Sequence, residues 1–295
     1  MQNKEPDEFR ESHALKDIWL IFRKDKIALG SLYAFVILIL CALCSGLIAP
    51  YSSETQFVGK ELLPPSWFDR GEIAYFFGTD DIGRDIFSRI LIGTSYTLGA
   101  ALIVVIFTAL VGGALGLIAG ISEGMKSRLL SHFLDAFLTI PILLIAIIIA
   151  TLMEPNLLNA MLAITLALLP YFIHEIYNAV QQELKKEYVL MLRLEGISNW
   201  ELVKFTLIPN ISVQYIQEIS RAFTIAILDI SALSFISLGA QRPTPEWGAM
   251  IRDSLELIYL APWSVILPGL AIIFTILLGL LLTNGLTKAI NKYYD

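Results

Sequence analysis

His174-Glu175-Ile176-Tyr177-Asn178 comes within one residue of H-E-x-x-H, the helical pattern in which two histidines hold zinc and the glutamate activates water. Asn178 stands where the second histidine is needed. The chain has three histidines, and His13 and His132 lie far from this site in sequence. A zinc centre is therefore disfavoured, and no metal or other cofactor is expected. Cys41 and Cys44 have the C-x-x-C spacing of redox and metal-binding pairs, but both sit inside a long apolar run. There, two small buried residues on a helix are the better reading. Asp80, Asp81, Arg84, Asp85 and Arg89 gather acids and guanidinium groups within ten residues. Acid–base chemistry is one use for them; an amphipathic interfacial helix with internal ion pairs is the simpler one. The phosphate-cradling pattern G-x-x-x-x-G-K-[ST] is absent, so the chain has no fuel site of its own. None of these groups makes an enzyme.

The elements that carry these residues are apolar. Of 295 residues 56% are hydrophobic and only 16% charged, and the mean hydropathy is +0.68. A soluble domain has about 25% charged residues. The net charge of −6 argues against a nucleic-acid partner, which wants a basic face. Six runs have roughly the 20 residues needed to cross a hydrocarbon core about 30 Å thick: 27–49, 96–121, 133–153, 157–178, 211–238 and 263–283. The charged first 26 residues do not resemble a cleaved signal peptide. If the N-terminus is cytoplasmic, the inside segments hold 14 Lys and Arg against 6 outside, with Arg221 inside a span. Cations prefer the cytoplasmic side, so both termini are expected there. The expectation is an all-α polytopic membrane protein. It has a cytoplasmic segment 1–26 and one transmembrane domain 27–295. That domain carries an external cap 50–95, a cytoplasmic loop 179–210 and an external loop 239–262.

The loop 179–210 is longer than a connector needs to be. Residues 181–195 are strong helix formers, with Leu184, Tyr188, Met191 and Leu192 on a shared face. Gly196 suits a left-handed helix end. Ser198-Asn199-Trp200-Glu201 is a capping box that opens a second helix, and Pro209 is expected to stop it. Two short helices hinged at Gly196 make either a solvated connector or a docking surface.

Within the spans, Gly112, Gly116, Gly120 and Gly124 recur every four residues, with Gly113 beside them. Such a face lets helices approach closely, as plain packing or as a sliding contact. Glu218 and Arg221 are three apart on the fifth run and can pair; Asp229 lies deeper. Charge in lipid is costly, so these residues either line a pathway or form a local ion pair. Asp135 lies near the inner boundary, where it would be solvated. A proton-coupled transporter driven by these acids is a rival reading.

Three stretches resemble the permeases of dipeptide and oligopeptide ABC importers. "EYVLMLRLEGISNWELVKFTLIPN" (187–210) is similar to their E-Y-V-x-x-x-R-x-x-G-A-S … L-P-N loop, with Leu190-Met191-Leu192 in place of the usual E-A-A triplet. "FGTDDIGRDIFSRILIGTSYTLGAAL" (77–102) resembles F-G-T-D-x-x-G-R-D-x-x-S-R-x-x-x-G. "LSFISLGAQRPTPEWGAMI" (233–251) and "APWSVILPGLAI" (261–272) resemble the family's fifth-span exit and last span. The match is to the C position of the permease pair. The altered triplet and the tail "GLLLTNGLTKAI" suggest the Sap (antimicrobial-peptide sensitivity) branch.

The resemblance implies a type I ABC permease fold in the bacterial inner membrane. It implies a homologous B-type permease, two ATP-binding subunits and a periplasmic solute-binding protein as partners, and peptide, haem or polyamine as cargo. It assigns Glu187, Tyr188, Leu190, Met191, Leu192, Arg193, Gly196, Ser198 and Pro209 to contact with the ATPase. Asp229, Arg221, Glu218 and Trp247 become pathway or gate candidates, the last in an external loop that either docks the binding protein or caps the helices.

Overall fold

The computed structural model describes residues 11–53, 55–122, 132 and 134–294, and among them there is no β-strand. The elements in order are α1 (Glu11–Phe22), α2 (Lys26–Ile48), α3 (Ile86–Ile121), α4 (Ile142–Thr151), α5 (Leu157–Leu184), α6 (Glu187–Leu194) and the single turn α7 (Asn199–Glu201). A π-helical segment (Leu202–Leu207) leads into α8 (Ile208–Phe235), followed by α9 (Trp247–Ser254) and α10 (Trp263–Tyr294).

Side chains placed just before the helices start four of those with eight or more residues. Asp25, Asp85, Asn156 and Glu246 each accept N–H groups from the first turns of α2, α3, α5 and α9. These caps satisfy donors that have no partner within the helix.

Four helices, α2, α3, α5 and α10, are long and apolar enough to cross a membrane. The other two expected runs differ from the simple pattern, each for a physical reason. Run 133–153 is broken: residues 134–138 are helical, the chain turns at 139–140, and Pro141 precedes α4, which has only 10 residues. Proline has no N–H to continue the first helical stretch. The fifth run is one 28-residue helix, α8, but Glu218, Arg221 and Asp229 lower its hydropathy. The second run begins ten residues early. α3 starts at Ile86 because Asp85 caps it, and its first turns, with Ser88 and Arg89, are buried under the cap rather than solvated.

The core is assembled from α3, α5 and α8. Leu98, Ala101 and Val104 meet Ala160, Ala163, Ile164 and Ala167, with Ala226, Ile227 and Ile230 completing it. α3 and α5 run parallel. Gly112 faces Phe172, Gly116 faces Ile176 and Gly120 faces Val180, a four-residue step on both helices. A Cβ on Gly116 would come within 2.8 Å of the Ile173 carbonyl oxygen, and one on Gly120 within 2.7 Å of Val180 Cβ. The helices touch because these side chains are absent. Gly113 instead admits Tyr215 of α8, whose hydroxyl donates to the Ala109 carbonyl at 2.8 Å. Gly124 lies outside the described residues.

At the end where α3 begins, residues 55–85 form an ordered cap without regular structure. Thr79 ties it: its hydroxyl accepts the Leu63 N–H at 2.9 Å and donates to the Lys60 carbonyl at 2.6 Å. Trp67, Phe76, Phe77 and Phe87 pack edge-on or tilted around one another. The expected interfacial helix over Asp80–Arg89 is not there before Ile86. The segment is a buried turn, in which the Asp80 carboxylate accepts from the N–H groups of Ile82 and Arg84 and pairs with Arg84 Nε at 2.6 Å. Arg89 reaches the Ser53 carbonyl at 3.0 Å. Charges on a solvated helix would be exposed; these are buried because they satisfy one another and the backbone.

Candidate functional site

The opposite end of the bundle carries an elbow made by α6, Gly196, α7 and the π segment. α6 has Glu187 in its first turn and Arg193 in its last, the arrangement the helix dipole favours. Its inner face holds Val189, buried, and Leu192, half-buried. Tyr188 donates its hydroxyl to the Glu183 carboxylate at the end of α5, and Lys186 Nζ lies 2.7 Å from the other Glu183 oxygen. Glu183 is itself buried. Burial, together with the bond to Glu183, pushes the Tyr188 phenol well above its ordinary value. α6 is therefore bolted to α5 rather than hung from it.

Gly196 ends α6 with φ +88°, and its N–H donates to the Arg193 carbonyl at 3.1 Å. Ile197 N–H reaches the Leu192 carbonyl at 3.2 Å. A Cβ at Gly196 would meet nothing within 4 Å, so the position requires glycine for backbone conformation alone. The capping box is complete. Ser198 Oγ accepts the Glu201 N–H, and the Glu201 carboxylate accepts from the Ser198 N–H and hydroxyl at 3.1 and 2.6 Å. Those bonds hold the Glu201 carboxyl below its ordinary range.

Two expectations change here. Pro209 does not stop the second helix; it sits in the first turn of α8, and the chain stays helical from Asn199 to Phe235. The π segment makes this possible. The Ile208 N–H bonds back to the Val203 carbonyl, one residue further than in an α-helix, and the wider turn gives the proline ring room. Leu192 does not share the outward face of Leu190 and Met191. Glu187, Leu190, Met191 and Leu194 follow the i, i+3, i+4, i+7 pattern and all four are exposed, Met191 at 66%. Leu194 extends the exposed stripe, while Leu192 is half-buried on the other side of α6. Trp200, 73% exposed, extends the same apolar surface from α7. Leu194 and Trp200 were legible in the heptad spacing and in an aromatic beside a capping box; Glu183 had no comparable signal.

One ionisable residue of α8, Arg221, reaches an acid on α5. Arg221 Nη1 is 3.5 Å from Glu218 and 4.0 Å from Glu175, and its side chain is 60% exposed. His174 Nε2 is 2.9 Å from Asp135, so the histidine of the near-zinc motif pairs with the acid expected to be solvated. No cluster of three or more metal-ligating residues occurs among the described residues. Asp229 is buried, and its Oδ2 has no hydrogen-bond partner.

Trp247 is not on an open surface. It is 1% exposed, its indole N–H donates to the Ile90 carbonyl at 3.1 Å and its backbone N–H to Thr97 Oγ1 at 3.1 Å. It anchors α9 on α3, because Gly93 leaves the space its ring fills. Glu246 beside it went unnoticed in the sequence. It is 0% exposed and accepts from Thr97 Oγ1, Ser231 Oγ and the Ala249 N–H at 2.9, 3.1 and 2.9 Å. One carboxylate thereby joins α3, α8 and α9.

Residues 112–294 match the family model described as the binding-protein-dependent transport system inner membrane component. Residues 14–65 match the N-terminal transmembrane domain of oligopeptide transport permease C. The peptide transport system permease protein SapC of Haemophilus influenzae is 66% identical over the whole of both chains. The chain belongs to the Sap branch of the ABC peptide-transport permeases. SapC of Escherichia coli O6:H1 is 47% identical to this permease over 96% of each chain. The Escherichia coli dipeptide transport system permease DppC is 36% identical, over 94% of the permease and 92% of that protein. An inward-facing structure of the MetNI methionine ABC transporter shares the fold. It has TM-score 0.54 and 13% identity, and covers 67% of the permease and 96% of that chain. The permease is a multi-pass transport subunit and not an enzyme.

Proposed function

We propose that the permease forms half of the translocation pathway of a peptide importer in the bacterial inner membrane. On this reading all six runs cross the membrane, the broken 134–151 stretch and the charged α8 included, with both termini and the elbow cytoplasmic. Its partners are a homologous B-type permease, two ATP-binding subunits and a periplasmic solute-binding protein. The elbow is the handle on which the ATPase acts.

The observation that carries this reading is the outward face of Leu190, Met191 and Leu194, exposed apolar side chains on a helix fixed to α5, with Trp200 exposed beside them on α7. Burying each of them against a partner is worth about 1.5–3 kcal/mol. Glu187 and Arg193 flank the face, and Gly196, Ser198 and Pro209 hold it in line with α8. A push on α6 passes through Glu183 to α5, and a push on α7 passes through the π segment to α8. The chain has no phosphate-binding loop, so motion must be delivered this way.

The same reading assigns a face to the pathway. Arg221, largely exposed in the middle of an apolar bundle, is too costly to point at lipid. The surface shared by Glu175, Glu218 and Arg221 then faces water or the partner permease. Asp229, eleven residues after Glu218, lies on the same stripe of α8. Gly112, Gly116 and Gly120 of α3 pack it against α5, while Gly113 lines a cavity of about 360 Å³ beside Tyr215 of α8.

The test is Gly196→Asp in the assembled transporter. The expected result is normal membrane insertion with loss of ATPase co-purification or of coupled peptide uptake. Unchanged uptake would remove the elbow from the mechanism.

A further inference from the structure

We propose that the corner where α1 meets α2 and α10 is a binding site for an anionic phospholipid. α1 is docked by Ile18, Ile21 and Phe22, with Phe22 buried against Ala28 of α2 and Ala289 of α10. Going round α1 at about 100° per residue, Leu15 and Trp19 come next, both exposed, and then Lys16 and Arg23. An apolar strip beside a cationic one suits a helix lying in a membrane surface, and tryptophan is at home at that depth. Trp19 is held there by stacking on Phe22, with ring centroids 5.7 Å apart.

The helix lengths put the corner at the headgroup level. α2 has 23 residues, about 34 Å, and so begins at Lys26 almost at the edge of a hydrocarbon core about 30 Å thick. α10 has 32 residues, about 48 Å, and its last turns, with Lys288 and Lys292, project past that edge. The two helices meet here, where Gly285 lets Ala28 and Phe22 come close.

The charge is free to bind. Arg23, Lys24, Lys26, Lys288 and Lys292 are exposed, and among the described residues none of them has an ion-pair partner. Asp25 forms no ion pair with them, its carboxylate accepting the N–H groups of Ile27 and Ala28 at 2.9 and 3.2 Å, and its single negative charge leaves the five cations in excess. Asp17 is exposed nearby. The whole chain carries −6, so this positive corner is a local feature and not an overall excess of cations. A phosphate headgroup completes it from one side while the lipid's chains lie along α2, which is largely uncovered by the rest of the bundle.

The experiment is native mass spectrometry of the full chain in mild detergent, titrated with phosphatidylglycerol or phosphatidylcholine of identical acyl chains. The expected result is about tenfold stronger retention of phosphatidylglycerol. Combined Arg23→Gln, Lys24→Gln and Lys26→Gln should erase that preference without lowering the thermal midpoint. Trp19→Ala should weaken both lipids and keep the preference. Equal retention of the two lipids by the unaltered chain would overturn the proposal, as would an unchanged preference in the triple variant. Displacement of the lipid by free glycerophosphate would overturn it too, since the site would then be one for soluble phosphate. The readout is lipid binding, so it stands or falls separately from the transport reading.

Discussion

At the cap end, Asp80, Arg84, Asp85, Arg89 and Glu246 are buried and bonded within the chain, whereas at the elbow Leu190, Met191, Leu194 and Trp200 are exposed. One end hides charge and satisfies most of it with its own backbone, hydroxyl and guanidinium groups, Asp85 Oδ1 alone among these five residues' carboxylate oxygens being buried without a partner. The other sets its exposed apolar side chains in a stripe along one short helix, whereas those of the cap end, Phe57, Trp67, Ile73, Tyr259 and Leu260 among them, are scattered over loops. A buried polar group costs free energy unless it is satisfied, so the cap must be finished by the chain itself. Exposed apolar surface is tolerable until a partner removes it from water, so the elbow can wait. On the function proposed above, the buried charges of the cap serve the fold and the apolar stripe of α6 serves a partner.

The sharpest way to break that comparison is to charge the elbow. Leu190→Asp with Met191→Asp should weaken ATPase association by about 4 kcal/mol, read as loss of co-purification, while the thermal midpoint of the lone chain stays within about 2 °C. An equally large drop in the midpoint would show that these residues serve the fold. Glu246→Ala tests the cap from the other side. It strands Thr97 and Ser231 and should destabilise the chain by about 3 kcal/mol in a denaturation series, with Glu246→Gln costing less.

A pair of identical substitutions separates two causes. Gly248→Ala, at the cap end, puts a Cβ 2.1 Å from the Ser231 carbonyl oxygen and should cost about 2–3 kcal/mol. Gly196→Ala meets no atom and should cost only about 1 kcal/mol, the backbone penalty of a positive φ. Equal costs in thermal denaturation would erase the distinction.

The smallest effect is in pH. Bonds from Ser198 lower the Glu201 carboxyl, so its contribution is complete above the ordinary carboxylate range and is lost as pH falls through the lowered value. Burial raises the Asp85 carboxyl, so its contribution is complete below the ordinary range and is lost as pH rises through the raised value. Acidification should therefore loosen amides 198–202 and leave those of 85–89 no less protected, in hydrogen exchange corrected for intrinsic rates. Glu201→Gln should abolish the response at the elbow.

Much of the elbow was legible in the chain because its signals are local. Gly196 needs a particular backbone angle, and Ser198 and Glu201 reach groups three residues away, so spacing alone suffices. Apolar run length likewise located four helices, since crossing hydrocarbon demands unbroken backbone bonding within each helix. The misread residues were those whose partners are distant. Asp80 to Arg89 read as a solvated helix because local spacing does not reveal that Ser53 and the cap close over them. Pro209 read as a stop because the π turn that accommodates it depends on register rather than composition.

The amino-acid order by itself determined most of the long apolar helices, the capping box at Ser198 and Glu201, the hinge at Gly196 and the lack of a phosphate-binding loop. These depend on residue type and on neighbours within one or two turns. Only the tertiary structure decided that Trp247 is an anchor, that Leu194 and not Leu192 faces outward, that Glu183 holds the elbow and that one buried carboxylate joins three helices. Those outcomes depend on which surfaces meet across long sequence separations, and packing geometry, not local propensity, sets them.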